Sequence, residues 1–174
     1  MTIGFFASSR DAMIPIYGSH VADVIQVLHS LMVTHIVYGG GTKGLMGVLY
    51  REAITYDMKV IGHNRYQWHE PELSNEVLYS SLLERQQGLL SSSSFFIALP
   101  GGIGTIYEIT QVLCHQDVDG DDTILVIYNV DNWASTFITF IKELTDKGLI
   151  THLRFYITTT PEELSDCITR YYKK

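Results

Sequence analysis

Short apolar runs alternate with segments of helical periodicity along the whole chain. The runs predict strands near residues 2–7, 35–38, 58–62, 95–99, 123–128 and 153–158. Between them the apolar spacing predicts helices near 16–32, 44–56, 80–92, 104–117, 132–146 and 161–172. In the first helix Val21, Val24, Ile25, Leu28, Leu31 and Met32 recur at helical spacing, as a core stripe does. Thr160-Pro161-Glu162-Glu163 has the form of a capped start, with proline in the first turn and acids at the positive end. Strand and helix in strict alternation predict a doubly wound, Rossmann-like α/β fold, a parallel sheet with helices on both faces. No internal repeat or linker divides the chain, and Ser91 to Ser94 reads as a helix end, so one domain is expected over 1–174.

In such folds ligands sit at the carboxyl ends of the strands, where the loops emerge. Two of these loops are glycine-rich. Phe95-Phe96-Ile97-Ala98-Leu99 runs into Pro100-Gly101-Gly102-Ile103-Gly104-Thr105-Ile106-Tyr107-Glu108: buried strand, glycine turn, helix start, and an acid one turn in. Without Cβ atoms the turn can approach a ligand closely, and the first free N–H groups of the helix point at it, so phosphate is the expected guest. His35-Ile36-Val37-Tyr38 likewise leads into Gly39-Gly40-Gly41-Thr42-Lys43-Gly44-Leu45-Met46-Gly47, and a third polar loop follows the first strand at Ser8-Ser9-Arg10. Candidate phosphate and ribose contacts are Ser8, Ser9, Gly39, Gly40, Gly41, Gly44, Gly101, Gly102, Gly104 and Thr105. Gly39-x-Gly41-x-x-Gly44 matches a dinucleotide fingerprint literally, but His63 and Asn64 stand where the ribose-binding acid belongs, which disfavours NAD. Lys43 precedes Gly44 and no Gly-Lys-Ser/Thr occurs, so triphosphate hydrolysis has no support.

Composition narrows the ligand. The 174 residues are 46% hydrophobic and 18% charged, with a formal net charge of −7. An acidic chain is poorly matched to a nucleic-acid backbone, so the phosphate belongs to a small molecule. Cys114 and Cys167 carry no metal-ligand spacing and no disulfide framework, which fits a reducing, cytoplasmic setting. No segment has the length or flanks of a signal peptide or a membrane span, so no membrane partner is expected. Asp117, Asp119, Asp121 and Asp122 around Gly120 imitate a calcium loop, but the glycine is misplaced and Tyr128 stands where the bidentate acid belongs; a solvated turn is the reading. No His-Glu-x-x-His is present, and Cys114 and His115 point to different faces of a helix, so neither metal nor cofactor is expected.

The order and spacing of Tyr38 to Gly47, Glu84-Arg85 and Pro100 to Glu108 resemble the LONELY GUY proteins, cytokinin riboside 5′-monophosphate phosphoribohydrolases often labelled lysine decarboxylases. The resemblance extends from Ala7-Ser8-Ser9 through Pro15 and Tyr17 to Thr160-Pro161-Glu162-Glu163-Leu164. It implies cofactor-free hydrolysis of the N-glycosidic bond of a nucleoside 5′-monophosphate, a homodimer, and a catalytic pair at Arg85 and Glu108. A carboxylate can stabilise the cationic sugar of a breaking ribosyl bond and activate water. Arginine, with a pKa of about 12 or above, donates no proton near neutrality and is assigned to holding phosphate or ribose oxygens and orienting Glu108. A decarboxylase would need a Schiff-base lysine, and Lys43 is the one lysine near the expected site.

The chain departs from the family pattern in places. Leu83-Glu84-Arg85-Gln86 replaces a His-x-Arg-Lys run, and Ile103 and Tyr107 replace a tyrosine and a glutamate. Met46 and Leu82 are candidates for contact with the base, and Tyr66, Trp68 and His69, in a segment poor in motif, are candidate stacking groups. Two other functions fit the same residues: a broader AMP or GMP nucleosidase, and a non-catalytic nucleotide or cofactor carrier, which would tolerate loss of the acid. The leucines of 80–92 and the apolar stripe Ile106, Ile109, Val112 and Leu113 are wide for helices that also cover a sheet, consistent with a dimer face.

Overall fold

The computed structural model describes residues 2–172, in which seven strands pair in parallel into one sheet. They are β1 (Thr2–Phe6), β2 (His35–Tyr38), β3 (Lys59–Arg65), β4 (Glu76–Tyr79), β5 (Phe95–Ala98), β6 (Ile124–Tyr128) and β7 (Phe155–Thr158). The helices are α1 (Ile14–Ser30), α2 (Gly44–Thr55), α3 (Leu82–Leu90), α4 (Ile103–Asp119), α5 (Ser135–Asp146) and α6 (Pro161–Tyr172). Successive side chains on a strand face opposite ways, and the central strands are apolar on both sides. Phe95 and Ile97 pack with Val21, Val24, Leu45, Leu49 and Leu164 of α1, α2 and α6. Phe96 and Ala98 pack with Leu89, Ile109, Val112 and Ile138 of α3, α4 and α5. The chain is thus the doubly wound, Rossmann-like α/β fold that its alternation predicts.

Strand order is β4-β3-β2-β1-β5-β6-β7. From β1 the chain adds strands outward in one direction through β4, then returns to the other side of β1 with β5. The order reverses between β1 and β5, the topological position at which folds of this kind bind ligands, at the carboxyl ends of the strands.

Three expectations are corrected. The sheet has a strand more than predicted, because the apolar run of β4, Val77-Leu78-Tyr79, is only three residues long within the polar stretch from 62 to 81. As an edge strand it pairs only with β3 and leaves Val77 exposed. The first helix begins at Ile14, because Pro15 suits a first turn, and it ends at Ser30. Met32, counted in the core stripe, instead turns the chain with φ at 60° and is exposed.

Candidate functional site

Ser8 joins the three predicted loops. Its N–H donates to the Pro100 carbonyl at 3.2 Å, its carbonyl accepts from Met46 N–H at 3.2 Å, and its Oγ accepts from Arg10 N–H at 3.1 Å. Ser8 is buried while Ser9 and Arg10 are exposed. Gly44 makes the junction possible: its φ is +58°, and a Cβ there would fall 2.5 Å from the Ser9 and Arg10 backbone.

The two helix starts read as anion sites differ. At α2 the Gly44 N–H donates to Asp11 Oδ1 at 2.8 Å, Met46 N–H to Ser8, and Gly47 N–H to the Lys43 carbonyl. A carboxylate of the chain itself thus occupies the place an anion would take. At α4 no side chain caps the helix, and among the described residues the Ile103, Gly104 and Thr105 N–H groups have no protein acceptor. Gly102 and Gly104 are exposed, and a Cβ on either would meet nothing within 4 Å. The start of α4 is therefore the open anion cradle, with Thr105 buried beneath it.

Glu108 lies one turn further along α4 and is 8% exposed; Arg85 of α3 is 7% exposed. They meet at 3.3 Å between Arg85 Nη1 and Glu108 Oε1. Arg85 also donates from Nε to the His63 carbonyl at 2.9 Å, from Nη1 to Gln86 Oε1 at 3.1 Å and from Nη2 to the Gly39 carbonyl at 3.0 Å. The guanidinium runs so close beneath the β2 loop that a Cβ on Gly39 would fall 2.3 Å from Nη2. Most of its donors are committed to the protein, so it clamps the ends of β2 and β3 to Glu108. α3 itself starts with a capping box, in which Ser81 Oγ accepts from Glu84 N–H and the Glu84 carboxylate accepts from Ser81 N–H.

Burial pushes the Glu108 carboxyl up to about 7, against the opposing pull of the Arg85 charge and of hydrogen bonding by Arg85 and Gln86. Near neutrality both its acid and its base form are populated. His63, beside the pair, goes the other way: burial first and the Arg85 charge second lower it to about 4. It stays neutral and shares a 2.9 Å hydrogen bond between Nδ1 and the Tyr79 hydroxyl.

The structure brings Met46 to the site, since Cβ atoms on Gly39 or Gly41 would meet its Sδ at 3.1 Å or its Cε at 2.6 Å. Leu82, one turn before Arg85 on α3, is exposed. Gly40 lies against Asn64, whose amide donates to the Gly40 and Trp68 carbonyls and to Glu76 Oε1. Tyr66 and Trp68 are exposed, with Arg65 stacked over the Trp68 ring, and His69 is tied to Glu76 at 2.5 Å. Asp117 is held by Thr151 and His152, a loop staple. No group of three or more His, Cys, Asp or Glu suited to a metal occurs among the described residues. Both cysteines are free thiols, and no helix of the described residues is long and apolar enough to cross a membrane. Sequence reasoning missed the roles of Asp11 and His63 and saw Gln86 only as a departure from the family's lysine. Gln86 is 3% exposed, and its position next to Arg85 was the available signal.

A family model described as "Possible lysine decarboxylase" matches residues 46–169. A protein of Oryza sativa subsp. japonica described as a probable cytokinin riboside 5′-monophosphate phosphoribohydrolase is 31% identical over 144 residues, 78% of this chain and 68% of its own. The cytokinin riboside 5′-monophosphate phosphoribohydrolase LOG5 of Arabidopsis thaliana is 29% identical over 150 residues, 83% of this chain and 65% of its own. Among solved structures, the structural-genomics target TM1055 superposes with a TM-score of 0.77 at 16% identity, covering 97% of this chain and 98% of that one. A molybdenum cofactor carrier protein of Chlamydomonas reinhardtii gives 0.73 at 14% identity, covering 99% and 98%. The structural likenesses show the fold.

Proposed function

The chain belongs to the LONELY GUY family, the group that the possible lysine decarboxylase model describes, and from that premise we propose that it hydrolyses the N-glycosidic bond of a nucleoside 5′-monophosphate to free base and ribose 5-phosphate. The observation that carries the reading is the buried Glu108 carboxyl, clamped by Arg85 one helical turn past an uncapped helix start at the strand-order reversal. The 5′-phosphate docks on the Ile103 to Thr105 N–H groups, with Ser8, Ser9 and the Gly39 to Gly44 loop as the opposite wall toward the ribose. As the bond to the base lengthens, positive charge builds on the sugar. Ionised Glu108 stabilises that charge and takes a proton from the attacking water, which adds to the anomeric carbon as the base departs with the bonding electrons; that proton then passes from Glu108 to the base, which leaves neutral, and the carboxylate is restored. Arg85 holds Glu108 in place and leaves proton transfer to it. Lys43, the lysine of the glycine loop, is exposed at the start of α2 and takes no part in the hydrogen bonds of the Arg85–Glu108 pair, which argues against imine chemistry.

The same reading includes an N6-modified adenine as the base, a homodimer and a cytoplasmic setting. Curated relatives named for cytokinin riboside monophosphates support the first. Leu82, Leu83, Ile103 and Tyr107, all exposed around the α3 and α4 starts, support the second; two unpaired thiols support the third. Incubation with isopentenyladenosine monophosphate, AMP and GMP, followed by chromatography, tests the proposal: free base and ribose 5-phosphate are expected, fastest from the modified nucleotide. Comparable rates on all three substrates would favour a broad purine nucleotide nucleosidase; binding without turnover of any would make the protein a carrier.

A further inference from the structure

We propose that Gln86 is the positioning residue that holds the Arg85 guanidinium and the Glu108 carboxyl in register, accepting from one and presenting its amide N–H groups to the other. Consecutive helical residues point about 100° apart, so Arg85 and Gln86 can approach one carboxyl from two directions. Gln86 is 3% exposed, and its Oε1 stands 3.1 Å from Arg85 Nη1. A guanidinium only donates, so the oxygen of the Gln86 amide must face Arg85, which leaves the nitrogen for the acid. Arg85 Nη1 donates at once to Gln86 Oε1 at 3.1 Å and to Glu108 Oε1 at 3.3 Å, so the amide and the carboxyl share one donor, and hydrogen bonding by Gln86 favours the ionised form of Glu108. Among the described residues, Arg85 is the one charge acting on this carboxyl; neutral His63 lies beyond Arg85, which donates to its carbonyl.

No other neutral side chain of this length offers an acceptor and a donor together. Methionine fills the space but gives neither, lysine adds a charge and loses the acceptor, and glutamate would set a second acid against the first. Gln86 thus makes the base form of Glu108 accessible near neutrality without placing a second cation against a site that must build positive charge on a sugar.

The activity arm of the test rests on the phosphoribohydrolase reading, whereas the titration arm does not. In protein labelled with carboxyl-¹³C glutamate, the Glu108 resonance is assigned by its loss in Glu108→Gln and followed with pH in wild type, Gln86→Met and Gln86→Lys. The Glu108 midpoint is expected to rise by about half a unit to one unit in Gln86→Met, the scale of one lost hydrogen bond, and to fall in Gln86→Lys. The acid limb of the kcat profile should move with it while KM changes little, and Gln86→Asn, which is too short to span both groups, should behave like Gln86→Met. A midpoint unmoved in folded Gln86→Met overturns the proposal, and should that variant not fold, a midpoint unmoved in Gln86→Lys does so. Absent turnover in every protein together with shifted midpoints would refute the hydrolase reading and leave the role of Gln86 standing.

Discussion

Glu108 and Arg85 are a pair with unequal structural duties. Glu108→Gln keeps the shape and removes the base, so turnover is expected to fall about a hundredfold or more while the fold survives, checked by product chromatography and circular dichroism. Its stability should respond to pH in a definite direction. The carboxyl moves from its ordinary 4.5 up to about 7 on folding, so the fold prefers the neutral form. That preference is fully present below about 4.5 and is lost as pH rises through 7. Relative to wild type, Glu108→Gln should therefore melt progressively higher between pH 5 and pH 8, by up to about 3 kcal/mol. Parallel melting curves across that range would contradict a buried acid. His63 shifts the opposite way, and both proteins carry it, so it cancels from the comparison. Arg85→Ala differs again: it strands the His63 and Gly39 carbonyls and leaves Glu108 buried without its cation. A loss of about 3 kcal/mol or more, read by chemical denaturation, should accompany its loss of activity. Glu108 is visible in the sequence through the glycine turn that precedes it, and Arg85 through the family resemblance. The acceptors that fix Arg85 are not, because backbone carbonyls carry no sequence signature and come together only when β2, β3 and α3 converge.

Among the elements, two similar glycine motifs perform different tasks. The start of α2 is closed by Asp11, a contact across 33 positions that no local pattern announces. The start of α4 is open. Asp11→Ala should thus behave as a lost cap, costing about 1 kcal/mol in a thermal melt. The open helix start predicts that 5′-monophosphates are hydrolysed and the matching nucleosides are not, because binding of the unreacting phosphate positions the bond that breaks. Equal rates on AMP and adenosine would remove phosphate from the account. Apolar runs disclose the buried strands well, since β5 and β6 are covered on both faces. They miss β4, whose apolar run is only three residues long, and they extend α1 into Met32, where a left-handed turn overrides the stripe.

For the whole molecule, strict alternation of strand and helix makes the doubly wound architecture legible, whereas no sequence pattern tells an apolar stripe that covers a sheet from one that meets a second subunit. The structure divides the stripes: Leu89, Ile109, Val112 and Leu113 belong to the core, while Leu83 is 61% exposed and Ile103 86%. Leu83→Asp should leave the monomer folded, reduce the proposed homodimer to monomer in light scattering and lower turnover, since Arg85 is on the same helix. A wild-type protein that is monomeric and fully active at micromolar concentration would refute the dimer. The strand order also parcels out the candidate site. Everything before the exposed turn at 71–72 supplies Ser8 and the Gly39 to Gly44 wall, and everything after it supplies Arg85, Glu108 and the cradle at the start of α4. A cut in that turn would give each fragment half of the machinery and neither fragment a reaction. Free base released on mixing the two would signal that they had found each other, so the hydrolase could serve as a split reporter whose readout is its own reassembly.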